Sequence, residues 1–382
     1  MHLTHLALRN FRNYADAELT LGPGLTVFRG ANAQGKSNLL EAVAMLALTK
    51  STRAGQERDV VRFASLADTP YTRVSGTAER RDGGAVEVQI DMALGPGDSR
   101  EKLVFQKRLR VDGVPRAAGQ AVGAIAAVLF SADDLDIITG SPANRRRYLD
   151  VLLSQADRGY LRALQGYQRV ITQRNQLLRR IREGLARTPE LDYWDGELCR
   201  LGAQVTGWRR DAVAAQAPAS AGAYAAMAPD DGAFEAAYAP SIDHDGSAEE
   251  VSAHAIALLA ERREREVQMA QSLVGPHRDD LLLSVGGLDV GQFGSRGQVR
   301  TAALSLRLAE AAYLRTALGE EPVLLLDDVL SELDGQRRQH VLEAACRAEQ
   351  SLVTVVEGED PPGLHEAVAT YTVEAGMLRR EG

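Results

Sequence analysis

The fold of this chain is decided by the stretch Gly30-Ala31-Asn32-Ala33-Gln34-Gly35-Lys36-Ser37, which has the glycine, lysine and hydroxyl spacing of a phosphate-binding loop. A short apolar strand precedes the stretch, and a helix begins near Ser37. In this arrangement the loop N–H groups face the phosphates, Lys36 reaches the terminal phosphates, and Ser37 can hold Mg²⁺. We therefore predict a nucleoside triphosphate site over Gly30 to Asn38, with Lys36 also serving catalysis. The alternative is a glycine-rich turn with a solvated lysine.

A second stretch, Val323-Leu324-Leu325-Leu326-Asp327-Asp328, predicts an apolar strand that ends in two carboxylates. We expect this strand beside the loop-bearing strand, with Asp327 orienting water on the Mg²⁺ held by Ser37. Asp328 is placed to polarise the attacking water as a general base. The alternative is that both carboxylates cap a strand or the next helix.

The two stretches lie far apart in the chain, so the region between them must be inserted into one nucleotide-binding fold. Residues 3–8 and 70–115 have strand patterns, which predict a mixed sheet, parallel near the glycine loop and antiparallel beyond it. From residue 144 the apolar period becomes 3.6. We predict an α/β head over residues 1–143 and 272–382, split by a helical lobe over 144–271.

Within the predicted lobe, one apolar stripe runs from Leu149 to Leu185 along a long helical stretch. A second stripe carries Trp194 and Trp208, which we predict to pack in the core rather than to stack on bases. Residues 214–240 are rich in alanine, proline and glycine and are predicted to be irregular.

Composition indicates an ordinary globular protein, with 45% hydrophobic and 25% charged residues. The start of the chain lacks the features of a signal peptide, and no apolar run approaches the ~18 residues that span a bilayer. Cys199 and Cys346 are the only cysteines, so neither a disulfide framework nor a zinc site is indicated. We expect a cytoplasmic protein that does not bind membranes.

Positive charge is concentrated in the middle of a chain whose net charge is −8. Residues 100–187 contain 17 basic and 8 acidic residues, a pattern that suits binding to DNA phosphates. Arg145, Arg146 and Arg147 begin the long helical stretch, and we nominate them as DNA contacts. The alternative is that they pair with nearby carboxylates such as Asp150.

Family-specific blocks are distributed along the chain. They are Asn10-Phe11-Arg12-Asn13-Tyr14, Gly35-Lys36-Ser37-Asn38-Leu39-Leu40-Glu41-Ala42, Gly140-Ser141-Pro142-Ala143-Asn144-Arg145-Arg146-Arg147, Gly275-Pro276-His277-Arg278-Asp279-Asp280 and Leu324-Leu325-Leu326-Asp327-Asp328-Val329-Leu330-Ser331-Glu332-Leu333-Asp334. Together they resemble the RecF family of bacterial recombination mediators, relatives of the SMC-type chromosomal ATPases. The resemblance implies an α/β, ABC-type ATPase head with parallel and antiparallel sheets and no long arms.

The resemblance also implies an ATP site shared by two copies of the chain. In such heads a signature, here Ser295, Gly297 and Gln298, begins a helix that faces the γ-phosphate bound by the other protomer, and a helix N-terminus suits an anion. Taken without the family, these residues indicate an ordinary helix start. The family further implies an ATP-dependent homodimer on gapped DNA, single-stranded DNA or ss/dsDNA junctions. A weak, DNA-stimulated ATPase acts as its switch, and RecR and RecO are its partners in recombinase loading, replication restart and the SOS response.

Several departures from the ABC pattern predict slow hydrolysis. Arg296 interrupts the signature, and Asp328 stands where transporters and SMC heads carry glutamate. Residues 128–134 and 354–357 occupy the places of the Q-loop glutamine and the switch histidine. We therefore weigh an ATP-switched DNA clamp against a transporter subunit and against a partner that uses ATP only to hold a dimer. The helical insertion, the segment at 10–14 and the missing histidine disfavour the transporter subunit, and product release would separate the other two.

Overall fold

The computed structural model describes residues 1–65, 70–96, 103–358 and 364–381. Contacts within the chain divide it into two compact units. The first comprises Met1–Asp134, Ala223–Asp230 and Ala303–Gly382, and the second comprises Leu135–Gly222 and Asp231–Ala302. The split head and the lobe over 144–271 have different bounds from these units and stay a prediction.

The strands are β1 (His2–Phe11), β2 (Tyr14–Thr20), β3 (Gly24–Gly30), β4 (Tyr71–Glu79), β5 (Ala85–Pro96), β6 (Leu103–Val111), β7 (Val114–Arg116), β8 (Ala127–Phe130), β9 (Phe234–Ala239), β10 (Asp280–Val285), β11 (Leu288–Asp289), β12 (Val323–Asp327), β13 (Gln350–Val356), β14 (Ala369–Glu374) and β15 (Met377–Arg380). The helices are α1 (Lys36–Leu48), α2 (Ala118–Ala121), α3 (Leu135–Thr139), α4 (Pro142–Ala156), α5 (Arg158–Arg182), α6 (Leu191–Met227), α7 (Ala248–Met269), α8 (Val290–Phe293), α9 (Arg296–Leu318) and α10 (Gly335–Arg347). No helix in these described ranges is long and apolar enough to cross a membrane.

The first unit contains two six-stranded sheets. One has the order β2-β1-β4-β5-β6-β7 and is antiparallel throughout, which confirms the antiparallel pairing predicted for residues 70–115. The other has the order β15-β14-β3-β13-β12-β8 and is parallel except for β15. The expectation of one mixed N-terminal sheet was wrong, because β3 pairs with the C-terminal strands β13 and β14 in a separate sheet from β1 and β4.

Helix α1 lies between the two sheets and packs against strands of both. Its sequence after Asn38 is apolar except for Glu41, as expected for a helix without a solvent side, and eleven of its thirteen residues are buried. This packing holds the start of α1, at Lys36, in a fixed position at the end of β3.

In the second unit, the predicted long helical stretch is two helices. Asp157 ends α4 and caps α5, where its carboxylate accepts the N–H groups of Gly159 at 2.5 Å and Tyr160 at 3.2 Å. The stripe also ends earlier than predicted, since Leu185 lies beyond α5 and is exposed. Trp194 packs against the buried cluster around Tyr167, as predicted for a core aromatic.

The predicted irregular segment at 214–240 is instead largely regular. Helix α6 continues through Pro218 to Met227, and residues 234–239 form β9, which pairs with β10. Alanine, the strongest helix former, fills the last turns of α6 and outweighs the hydrogen bond that Pro218 removes.

Candidate nucleotide-binding site

The glycine loop connects β3 to α1, as predicted, and two of its glycines are required by space. A Cβ on Gly30 would lie 2.3 Å from the backbone oxygen of Val373 in β14. Gly35 has φ 118°, and a Cβ there would lie 2.5 Å from Nδ2 of Asn13. Both positions need glycine because the backbone must pass this close to its neighbours.

Lys36 is folded back onto its own loop. Its ammonium donates to the carbonyl oxygens of Gly30 at 2.7 Å and Ala31 at 2.9 Å, and only 6% of the residue is exposed. Burial lowers the pKa of Lys36, and the carboxylates of Asp328 and Asp327 act in the opposite direction. A buried ammonium that is bound only to neutral carbonyl oxygens can bind an anion, because a hydrogen bond to a charged acceptor is stronger than one to a carbonyl.

The second half of the site meets the first at Ser37. The Oγ of Ser37 donates to Oδ1 of Asp327 at 2.7 Å across 290 residues of sequence. The prediction that β12 lies directly beside β3 was wrong, because β13 lies between them. The contact forms nevertheless, since α1 begins at the edge where these parallel strands all end.

Thr354 of β13 occupies the position between the two halves. Its hydroxyl lies 3.1 Å from Oδ1 of Asp327 and accepts the N–H of Asp328 at 2.8 Å. Asp328 has the left-handed φ of 56°, and its side chain lies 3.3 Å from Oγ of Ser331. The strand end therefore turns sharply, which separates the two adjacent carboxylates into different surroundings.

The donor atoms fit Mg²⁺. Burial raises the pKa of Asp327, while hydrogen bonds from Ser37 and Thr354 and the charge of Arg53 oppose that rise. A desolvated carboxylate next to a hydroxyl oxygen is stabilised by a hard cation. The described residues contain no cluster of three or more His, Cys, Asp or Glu side chains that could hold a metal. Ser37 and Asp327 would supply two oxygens, which suits Mg²⁺ because this ion usually keeps water and phosphate ligands.

Residues that sequence reasoning missed hold the loop in place. Asn13 Nδ2 donates to the carbonyl oxygen of Gln34 at 2.7 Å, and Asn13 Oδ1 accepts Asn38 Nδ2 at 2.8 Å. Tyr14 donates to the carbonyl of Gly35 at 3.0 Å. The only signal was the family block at 10–14, which named these residues without giving them a role.

The turn between β14 and β15 holds the other side of the loop. The N–H of Ala375 donates to Oε1 of Gln34 at 2.7 Å, and that of Gly376 donates to the carbonyl of Gln34 at 3.1 Å. A Cβ on Gly376 would lie 2.6 Å from the backbone oxygen of Asn13. Nothing local in the sequence marks this turn, because it meets the loop only through the strand order.

Arg12 connects the same segment to α1. Its guanidinium binds both carboxylate oxygens of the buried Glu41, at 2.6 and 3.0 Å, and Ser51 donates to Glu41 at 2.5 Å. Arg53 follows two residues later and is exposed, yet its charge acts on Asp327. The segment after α1 therefore places an exposed cation near the metal carboxylate, and no pattern in the sequence indicated this.

The predicted signature lies in the second unit at the start of α9. Ser295 Oγ accepts the N–H of Gln298 at 3.2 Å, and Gln298 Oε1 accepts the N–H of Ser295 at 2.9 Å. This reciprocal pair is a capping box, the ordinary helix start that was the alternative. Ser295 is exposed, so the same hydroxyl is also accessible to an anion. The role in trans stays a prediction.

The arginines nominated for DNA have partners within the second unit. Arg145 forms a two-pronged pair with Asp280 at 2.7 and 3.0 Å, and Arg146 donates to the carbonyl of Asp279 at 2.7 Å. Arg147 is exposed. Asp150, the partner considered from sequence, instead binds Arg209 at 2.7 Å. DNA binding by Arg145, Arg146 and Arg147 stays a prediction, and the first two are engaged in holding α4 to β10.

Comparisons with known proteins agree with one another over the full chain. Residues 2–378 match the model of the RecF/RecN/SMC N terminal domain. The DNA replication and repair protein RecF of Roseiflexus castenholzii is 42% identical, with 99% of each chain covered, and that of Chloroflexus aurantiacus is 40% identical, with the same coverage. A solved structure of the recombination mediator protein RecF with ATP, from the RecFOR pathway, superposes with a TM-score of 0.89 at 28% identity, covering 100% of this chain and 98% of that one. An SMC head bound to a winged-helix domain of ScpA is similar in fold alone, at TM-score 0.55 and 14% identity, covering 100% and 97%.

Proposed function

This chain belongs to the RecF family, with an SMC-like ABC ATPase fold, and we propose that it is an ATP-dependent DNA-binding protein of recombinational repair. ATP drives its homodimerisation on single-stranded gaps or ss/dsDNA junctions, and weak, DNA-stimulated hydrolysis releases it. With RecR and RecO it helps to load recombinase and supports replication restart and the SOS response. The observation that carries the proposal is the 2.7 Å contact of Ser37 with Asp327, which joins both halves of a triphosphate site.

The chain's own residues account for nucleotide binding. The loop N–H groups and the N-terminus of α1 bind the phosphates, and Lys36 exchanges its loop carbonyls for phosphate oxygens. Ser37 and Asp327 hold Mg²⁺, which neutralises phosphate charge when bound. Desolvation of Lys36 and Asp327 supports this role, because each charge is stabilised by a ligand of opposite sign.

Asp328 polarises the attacking water as a general base. Its backbone is fixed by Thr354 and its carboxylate by Ser331, so its reach is limited to its own short side chain. A short, restrained base predicts slow turnover, which suits a timed switch. The signature at Ser295, Gly297 and Gln298 completes the site from the second protomer, because a helix N-terminus with an exposed hydroxyl binds an anion.

Sedimentation velocity with and without ATP, and with duplex DNA carrying a single-stranded gap, tests the proposal. We expect a monomer without ATP, a dimer with ATP, and a heavier complex when the gapped DNA is added. A sedimentation coefficient that ATP leaves unchanged contradicts the dimer switch. A stable dimer with no phosphate release on DNA would favour the use of ATP only to hold two copies together.

Two variants separate the halves of the shared site. Lys36→Met should abolish both ATP binding and dimerisation, whereas Ser295→Arg should bind ATP as a monomer. Ser284→Arg, on the nearby strand β10, is the matched control for the added charge and should dimerise normally. A dimer of the Ser295→Arg variant in light scattering with ATP would refute the arrangement in trans.

A further inference from the structure

Helix α5 has an unusual surface for a protein with net charge −8. It is 25 residues long and contains seven arginines and four glutamines, but no aspartate or glutamate. Arg174 is fully buried against Asp195 and Glu266, while the other six arginines are exposed. The helix therefore presents positive charge to solvent along its whole length.

Four of these arginines lie in one line. At 3.6 residues per turn, Arg158, Arg162, Arg169 and Arg180 fall within about 40° of one another around the helix axis. With a rise of 1.5 Å per residue, the line is about 33 Å long. Glutamines continue the line between the arginines, at positions 165, 173 and 176. We call these seven residues the α5 stripe.

The charges of the α5 stripe are not balanced within the described part of the chain. None of its four guanidinium groups forms an ion pair there, and Arg162 and Arg180 make long contacts with backbone carbonyls, at 3.3 and 3.4 Å. Arg158 and Arg162 are separated by one turn, so they repel each other. By contrast, α7 in the same unit mixes five glutamates with three arginines. Abundant arginine in the sequence cannot explain why α5, unlike α7, has no acidic residue.

From this geometry we propose that the α5 stripe binds the phosphate backbone of duplex DNA. The proposal rests on the proposed function and assigns its DNA contacts to α5 instead of Arg145 and Arg146, which are paired. Arginine and glutamine are typical donors to phosphate and sugar oxygens. The length of the stripe is close to one helical turn of B-DNA, about 34 Å.

An acidic protein is the other partner with matching charge, and the stripe fits it less well. Protein interfaces are anchored by buried apolar or aromatic side chains at their centre. The stripe contains none, and Trp194 on the neighbouring helix α6 packs against the lobe's core. Charge without an apolar anchor favours the regularly spaced phosphates of a nucleic acid.

The test is the salt dependence of DNA affinity, measured with the full chain, ATP and a 30-base-pair duplex by fluorescence anisotropy. Each phosphate contact contributes a slope of about −0.9 in log K against log salt, which is about eightfold in affinity at 0.1 M salt. Arg162→Gln/Arg169→Gln should therefore weaken binding about 60-fold and reduce the slope by about 2. Arg158→Gln/Arg180→Gln should do the same from the two ends of the stripe. Glutamine keeps the helix propensity of these positions.

The matched control is Arg262→Gln/Arg265→Gln, which removes two exposed charges from α7. It should keep the wild-type slope, and all three variants should keep wild-type ATP affinity and melting temperature. If both stripe variants bind DNA with the wild-type affinity and slope, the inference about α5 is wrong, while the proposed function is unaffected. A loss of affinity of equal size in the control has the same consequence. Unchanged DNA binding with lost binding to polyglutamate would assign the stripe to an acidic protein and also overturn it. A wild-type protein that binds no duplex refutes the proposed function as well.

Discussion

Replacing Asn13 by alanine removes both hydrogen bonds of its side chain, one to the glycine loop and one to Asn38 in the first turn of α1. The bonds have normal lengths, 2.7 Å to Gln34 and 2.8 Å from Asn38, and the site is partly buried. Each such bond contributes about 1 kcal/mol, so the loop loses about 2 kcal/mol of restraint. In the variant, ATP must order the loop when it binds. We expect the ATP affinity to fall about 30-fold, since 1.4 kcal/mol is tenfold.

The assay is isothermal titration with ATP, alongside the melting temperature of the ligand-free protein. Asn175→Ala is the matched control, because Oδ1 of Asn175 also accepts two hydrogen bonds of 2.8 Å, both from Ser272, far from the loop in sequence. We expect the control to lower the melting temperature and to leave the ATP affinity unchanged. If Asn13→Ala behaves in the same way as the control, Asn13 stabilises the fold and not the loop, and the reasoning fails.

Three further predictions test other parts of the structure. Burial lowers the pKa of His277 to about 4, below about 6.5 in the unfolded chain, so the unfolded state binds more protons between these values and stability falls as pH decreases. Between pH 7 and 5, the free energy of unfolding measured in urea should fall by about 2 kcal/mol more for the wild type than for His277→Asn. An equal fall in the two proteins would contradict this. Glu266→Ala removes one of the carboxylates that pair with the buried Arg174 and should lower the free energy of unfolding by about 3–5 kcal/mol. The double variant Glu266→Ala/Arg174→Met should lower it by less in the same measurement, because the buried positive charge is removed as well. Gly30→Ala should abolish ATP binding in a filter assay, because its Cβ meets the β14 backbone, while Gly207→Ala, which meets no neighbour, should bind normally.

Patterns within about ten residues predicted the parts of the site that lie on one element. The loop at 30–37 and the strand ending at Asp327 have local signals in apolar period and glycine spacing. The strand order was not predictable in this way, because insertion of β13 between β3 and β12 depends on residues more than 300 apart. The support of Gln34 by Ala375 depends on that order and was therefore missed as well.

Predictions from composition were wrong where the same residues are compatible with two different structures. The segment at 214–227 contains alanine for a helix and Pro218 for a break, and the structure shows that the helix continues. Arg145 lies in a basic region, but Asp280, 135 residues away, neutralises it. Local charge therefore indicated a binding surface where the fold makes an internal ion pair. The α5 stripe was hidden for the opposite reason, since its unpaired state is visible only in three dimensions.

Helix α1 has no solvent face, and this separates two kinds of substitution. Inside α1, small residues such as Ala42, Ala44 and Ala47 fit between two sheets, so any larger side chain there alters the free energy of unfolding along with the nucleotide site. The β1–β2 turn and the turn at 375–376 contact the loop from outside α1, through hydrogen bonds such as those of Asn13 and Ala375 to Gln34. Substitutions at these two turns can therefore change the nucleotide affinity with little loss of stability. Substitutions inside α1 also lower the free energy of unfolding of the first unit.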